Sequence, residues 1–123
     1  MSDQPTDARS DVPLSVTREE RDGHVLFTLD GDIDIETARH LRAELIAGLP
    51  SGDERVVVDL TKVDFMDSSG LGALVGAWKI VRENGAFRVA GANSVVHRVL
   101  TITGMENVFE IHPDLASALP AQG

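Results

Sequence analysis

Five residues, Val56-Val57-Val58-Asp59-Leu60, constrain the fold of this chain more than any other stretch. A nearly continuous β-branched run has no polar face to offer water, so it reads as a strand covered on both sides. Such strands sit in the middle of sheets whose parallel neighbours are joined by helical crossovers. The flanking segments agree. Before the run, Val25, Phe27 and Leu29 alternate with His24, Leu26, Thr28 and Asp30, which is the period of a strand. Leu14 and Val16 open an earlier strand, and Glu19-Glu20-Arg21-Asp22-Gly23 reads as the turn of an antiparallel hairpin. Asp34 is an N-cap, and Ile35, Ala38, Leu41, Leu45 and Leu49 follow at helical spacing until Gly48 and Pro50 end the helix.

The same alternation continues toward the C-terminus. Ser68-Ser69-Gly70 opens a helix running to about Glu83, with Leu71, Leu74, Val75, Trp78 and Val81 on one face. Gly72, Ala73, Gly76 and Ala77 form a small-residue face suited to close packing on a sheet. Asn84-Gly85 supplies a left-handed stop, and Phe87 to Ala90 is the next strand. Asn93 or Ser94 caps a helix through Ile102, closed by Gly104. Val108 to Ile111 is a last short strand and Pro113 to Leu119 a last helix. The order is ββαβαβαβα: an α/β domain with a mixed, mostly parallel sheet, an antiparallel N-terminal edge and helices packed on the sheet. Val56 to Leu60 is expected at its centre.

The whole chain has 123 residues, enough for one domain and one core. Eleven basic residues against 20 acidic ones leave a net charge of -9, which disfavours direct binding to nucleic acid or to an anionic membrane surface. Aromatic residues make up only 4%, which argues against base stacking. With no cysteine there is no disulfide, thiolate metal site or Cys nucleophile. The apolar run Leu71 to Trp78 is too short to span a bilayer, and the polar, acidic start of the chain is the opposite of a signal peptide. A cytoplasmic location is expected.

Few residues have the arrangement that chemistry needs. His24, His40, His97 and His112 are scattered, without metal-ligand spacing. Gly70-Leu71-Gly72 lacks the Lys of a phosphate-binding loop, and Ser68 and Ser69 lack the frame of a hydrolase nucleophile. Asp32, Asp34, Asp64 and Asp67 gather at strand ends, where α/β sheets build their sites. They are open to a magnesium reading and to the plainer one of caps and loop acids. Ser68 and Ser69 stand at a helix start: one serves as the cap, the other stays exposed, and a phosphate there would be favoured by the helix dipole and free N–H groups.

Residues 56 to 74, running through Asp67-Ser68-Ser69-Gly70-Leu71-Gly72, closely resemble the signature of STAS domains, and more narrowly that of bacterial anti-sigma factor antagonists. Gly31-Asp32-Ile33-Asp34 and Gly104-Met105-Glu106-Asn107-Val108-Phe109 are similar to two further segments of that family. The resemblance covers residues 12 to 119, leaving a disordered polar tail at 1–11 and a short tail at 120–123. It implies a binding protein rather than an enzyme, needing neither cofactor nor metal. The implied partner is an anti-sigma factor with serine-kinase activity, whose capture frees a sigma factor. By motif match the kinase phosphorylates Ser68 and so releases the antagonist, and a serine phosphatase restores it. The implied partner-binding residues are Asp34, Asp67, Ser68, Ser69, Gly70 and Leu71. Asp67 either orients the Ser68 hydroxyl and contacts the kinase or is a helix-start acid, and Ser69 is read as the cap. Gly70 admits the partner backbone or a tight start to the helix. Leu71 is an anchor if exposed, and Leu74 belongs to the core. The alternative is a STAS module that is never phosphorylated, acting as a scaffold or a small-ligand sensor.

Overall fold

The computed structural model describes residues 14–50, 55–82 and 86–119. The expected tails, the Ser51-Gly52-Asp53 loop and the Asn84-Gly85 stop lie outside them. Strands β1 (Leu14–Arg21), β2 (His24–Ile33), β3 (Arg55–Met66), β4 (Phe87–Ala90) and β5 (Glu110–His112) form one sheet in that spatial order. The helices are α1 (Ile35–Gly48), α2 (Ser68–Val81), α3 (Ser94–Ile102) and the short α4 (Leu115–Ala118). β1 pairs antiparallel with β2, and every later pair is parallel. β3 is therefore the central strand.

Right-handed crossovers between strands laid down in sequential order put successive helices on one face. The core follows that rule. Val25, Phe27 and Leu29 of β2 and Val56, Val58 and Leu60 of β3 pack with Leu41 and Leu45 of α1, Leu71, Leu74 and Ala77 of α2, and Val96 and Leu100 of α3. On the opposite face Leu26, Val57 and Ala90 meet Ala118, with Leu115 and Leu119 against them. The β-branched run at 56–58 is thus buried on both sides.

Several boundaries differ from the sequence reading, each for a physical reason. β1 runs through Glu19, Glu20 and Arg21, because on an edge strand the charges face water and pair along the strand: Arg18 with Glu20 at 3.3 Å and Arg21 with Glu19 at 2.8 Å. The turn shrinks to Asp22-Gly23, both with positive φ (55° and 80°), which suits a two-residue hairpin turn. Gly48 does not stop α1. It is the last helical residue, and a Cβ there would lie 2.9 Å from Arg18 Cδ and from the Phe27 ring. The small residues of α2 do not share one face. Ala73 and Ala77 enter the core, Gly72 faces open space, and a Cβ at Gly76 would meet the Arg42 guanidinium of α1 at 3.7 Å. α2 ends at Val81. The last strand starts two residues later than expected, because Met105–Asn107 forms a 3-10 turn and Phe109 turns in to stack edge-on against Phe87, centroids 5.3 Å apart. Asp114, not Pro113, starts the final helix by capping Ser117 N–H at 2.9 Å.

The largest difference is β3 itself, 12 residues long rather than five. Thr28 pairs with Asp59 but Asp30 with Lys62, and Gly31 pairs with Val63 but Asp32 with Phe65. β3 therefore carries one extra residue at each of two bulges. Each bulge flips the inward parity, so Val63 and then Met66 face the core while Phe65 turns out and is 43% exposed. Gly31 accommodates the distortion in β2 with φ of 129°.

Candidate functional site

The candidate site is the end of the sheet where β2 and β3 run into α1 and α2. Two similar units lie side by side: Ile33-Asp34-Ile35 and Met66-Asp67-Ser68. Ile33 pairs with Met66, both fully buried, and the Asp67 N–H donates to the Ile33 carbonyl at 3.1 Å. In each unit the Asp is an extended N-cap and the next residue is the first of its helix.

Asp34 forms a capping box. Its carboxylate accepts from the Glu36 and Thr37 N–H groups at 2.9 and 3.0 Å, and its own N–H donates to the Thr37 hydroxyl oxygen at 2.9 Å. The Thr37 hydroxyl reaches back to the Asp32 carbonyl at 2.9 Å. The Thr37 backbone bond, helped by that of Glu36 and by the Thr37 hydroxyl, holds the Asp34 carboxyl below its ordinary value, so it stays ionised at neutral pH.

At the second unit the structure corrects the assignment of the cap. Asp67, not Ser69, caps α2: with φ -107° and ψ -171° it is the half-in residue, and its carboxylate accepts from the Ser69 N–H at 2.8 Å. Ser68 follows as the first helical residue and is exposed, while Ser69 is half-buried. Because an acid caps the helix, the Ser68 hydroxyl has no part in the cap. Gly70 is buried, and a Cβ there would lie 2.6 Å from Met66 Cγ and 2.7 Å from Ile33 Cγ2. Its glycine lets α2 approach both strand ends. Leu71 is 6% exposed and packs in the main core. Gly70 and Leu71 therefore shape this surface from beneath.

A third element braces the site. The Asn93 side chain caps α3 by accepting from Val96 N–H at 2.8 Å, and its amide donates to the Val63 and Asp64 carbonyls at 3.2 Å each. Those carbonyls belong to the second bulge, so the side chain supplies bonds beside a disturbed ladder. The spacing of residues 63 and 93 gives no hint of this bond.

The rim is acidic. Asp30, Asp32, Glu36 and Asp64 are exposed, and Asp34 and Asp67 are half-buried. Asp34 and Asp67 direct their carboxylates at helix N–H groups, so the acids of this end do not converge. Among the described residues no group of three or more metal-binding side chains is close enough to hold an ion. Nor, among them, is any helix long and apolar enough to cross a membrane.

An exposed serine at a helix start, an acid cap before it and a sequentially ordered, mixed sheet describe a small α/β domain. The STAS domain family model matches residues 15–118, and the chain belongs to that family. It is 30% identical over 108 residues to an anti-sigma F factor antagonist of Paenibacillus polymyxa, covering 86% of this chain and 92% of that one. It is 34% identical over 100 residues to an anti-sigma-B factor antagonist of Listeria monocytogenes, covering 80% and 88%. A crystal structure of an anti-sigma factor antagonist from Mycobacterium paratuberculosis superposes with a TM-score of 0.79 at 29% identity, covering 86% and 91%.

Proposed function

We propose that this chain is a cytoplasmic anti-sigma factor antagonist. It docks through the Ser68 end of its sheet onto an anti-sigma factor with serine-kinase activity, and phosphorylation of Ser68 by that kinase releases it. A serine phosphatase returns it to the binding form. The chain acts as substrate and switch, with no catalysis of its own. The observation that carries this reading is the exposed Ser68 hydroxyl at the first position of α2, with the cap supplied by Asp67. A modification there leaves the helix start intact, and the names of the relatives supply the class of partner.

The physical argument for release is local charge. Phosphate on Ser68 adds close to two negative charges beside Asp67 and near Asp34. The N-terminus of α2 offsets part of that repulsion, so the fold persists while the docking surface gains bulk and charge. A loss of ~3 kcal/mol in binding corresponds to more than a hundredfold in affinity. The test is capture of partners from a native lysate, identification of the bound anti-sigma factor by mass spectrometry, and titration of that purified protein against three forms of this chain. Unmodified chain and Ser68→Ala should bind, with Ser68→Ala not released by ATP. The Ser68 phosphoprotein should bind far more weakly and Ser68→Asp somewhat more weakly, because one carboxylate carries less charge than a phosphate. Equal binding of phosphorylated and unmodified protein would overturn the switch.

A further inference from the structure

Six large apolar side chains are exposed among the described residues: Ile35, Ile46, Phe65, Ile80, Val95 and Ile102. Single exposed apolar residues are ordinary on any surface, so their arrangement is what matters. Ile46, Ile80 and Ile102 stand on the last turns of three different helices. Ile35 and Phe65 both lie at the Ser68 end, as does Val95 in the first turn of α3, whose cap Asn93 bonds the Val63 and Asp64 carbonyls. Ile35 is 77% exposed and occupies in its unit the place that Ser68 occupies in the neighbouring one. Phe65 pairs with Asp32, one step before the Ile33–Met66 pair, and a bulge turns it out of the core. Neither side chain is buried by this fold, yet the backbone of each is restrained: Ile35 lies within the Asp34–Thr37 capping box, and Phe65 lies between the carbonyls clasped by Asn93 and the Asp67 cap. A restrained backbone lowers the ordering cost when a partner covers such a side chain.

We propose that Ile35 and Phe65 are the apolar anchors by which the anti-sigma factor is held, beside the serine that switches it. This rests on the function proposed above and specifies the complementary surface. The acids Asp30, Asp32, Asp34, Glu36, Asp64 and Asp67 lie around these positions, against two bases, Lys62 beside Asp30 and Arg39 one turn along α1 from Ile35. The partner therefore presents an apolar patch rimmed by Lys and Arg. Apolar contacts at the centre supply most of the affinity, and the charged rim steers encounter and makes it sensitive to salt.

The test uses the full chain and, as probe, the purified anti-sigma factor identified in the capture experiment. Ile35→Ala and Phe65→Ala should each weaken binding about tenfold or more, with thermal midpoints close to that of the unmodified chain. Phe65→Leu should recover much of the loss. Ile102→Ala, at 73% exposure on the opposite end of α3, should change affinity less than about twofold. Raising salt should slow association of the unmodified chain. If Ile35→Ala and Phe65→Ala bind as tightly as the unmodified chain while phosphorylation still releases it, the anchors are wrong and the switch stands. If no anti-sigma factor binds the unmodified chain, both fall together.

Discussion

The two helix starts at the Ser68 end of the sheet share one plan and hold it by different means. The α1 start is held by polar bonds: a capping box between Asp34 and Thr37, with the Thr37 hydroxyl continuing to the Asp32 carbonyl. The α2 start has one side-chain cap bond, from Ser69 N–H to Asp67, and is held chiefly by packing, with Gly70 pressed on Ile33 and Met66. The difference leaves the Ser68 hydroxyl outside the cap, as the proposed switch requires, while packing from below restrains the α2 backbone. The α1 start presents an isoleucine at the equivalent place.

Mutations test this contrast directly. The helix bodies, on which the α1 and α2 starts rest, should respond most strongly. Leu74→Ala in α2 and Leu41→Ala in α1 remove fully buried side chains, and each should lower stability by ~2–5 kcal/mol in denaturant melts. Next comes the start held by packing. Gly70→Ala should cost ~1–3 kcal/mol, because Met66 and Ile33 must move to admit the methyl. Gly72→Ala, two residues on with open space around it, should be neutral or stabilising by ~0.5–1 kcal/mol, as alanine is the better helix former. Equal losses at both positions would mean that helix propensity, not contact with the strand ends, governs the α2 start.

The caps should follow. Asp67→Ala should cost ~1 kcal/mol, while Asp34→Ala should cost more, since it abandons two amide bonds and the box with Thr37. Acid should weaken the Asp34 cap. The Asp34 carboxyl lies below its ordinary value in the folded state, as do those of Asp114, held by the Ser117 backbone bond, and Glu110, held by His112 and Arg88. A lowered folded value means that the unfolded chain binds more protons, so this stability is present above the unfolded pKa and disappears as pH falls through the folded one. Melting temperature should therefore decline below about pH 4, and Asp34→Asn should flatten that decline. The smallest effect belongs to Ser68: Ser68→Ala should change stability by no more than about 0.5 kcal/mol, since an exposed side chain outside the cap is removed. A larger loss would show that the hydroxyl supports the α2 start after all.

The elements with local signals were legible in the amino-acid order alone. Alternation and helical spacing marked the parallel core strands and the three main helices. Asp34 announced its cap by standing before an apolar helical pattern, and Ser68 was singled out by its place before Gly70-Leu71-Gly72. The features that emerged only in the folded molecule depend on register between strands distant in the chain. The two bulges lengthen β3 and expose Phe65, because inward parity is set by the partner strand rather than by the run of residues itself. The reach of Asn93 to the Val63 and Asp64 carbonyls has no sequence period to reveal it. The choice of Asp67 over Ser69 as cap turned on where β3 ends against Ile33. Gly70 became a packing residue only when Ile33 and Met66 arrived on either side of it. Periodicity records which way a side chain points within its own element, whereas burial depends on what the rest of the chain brings against it.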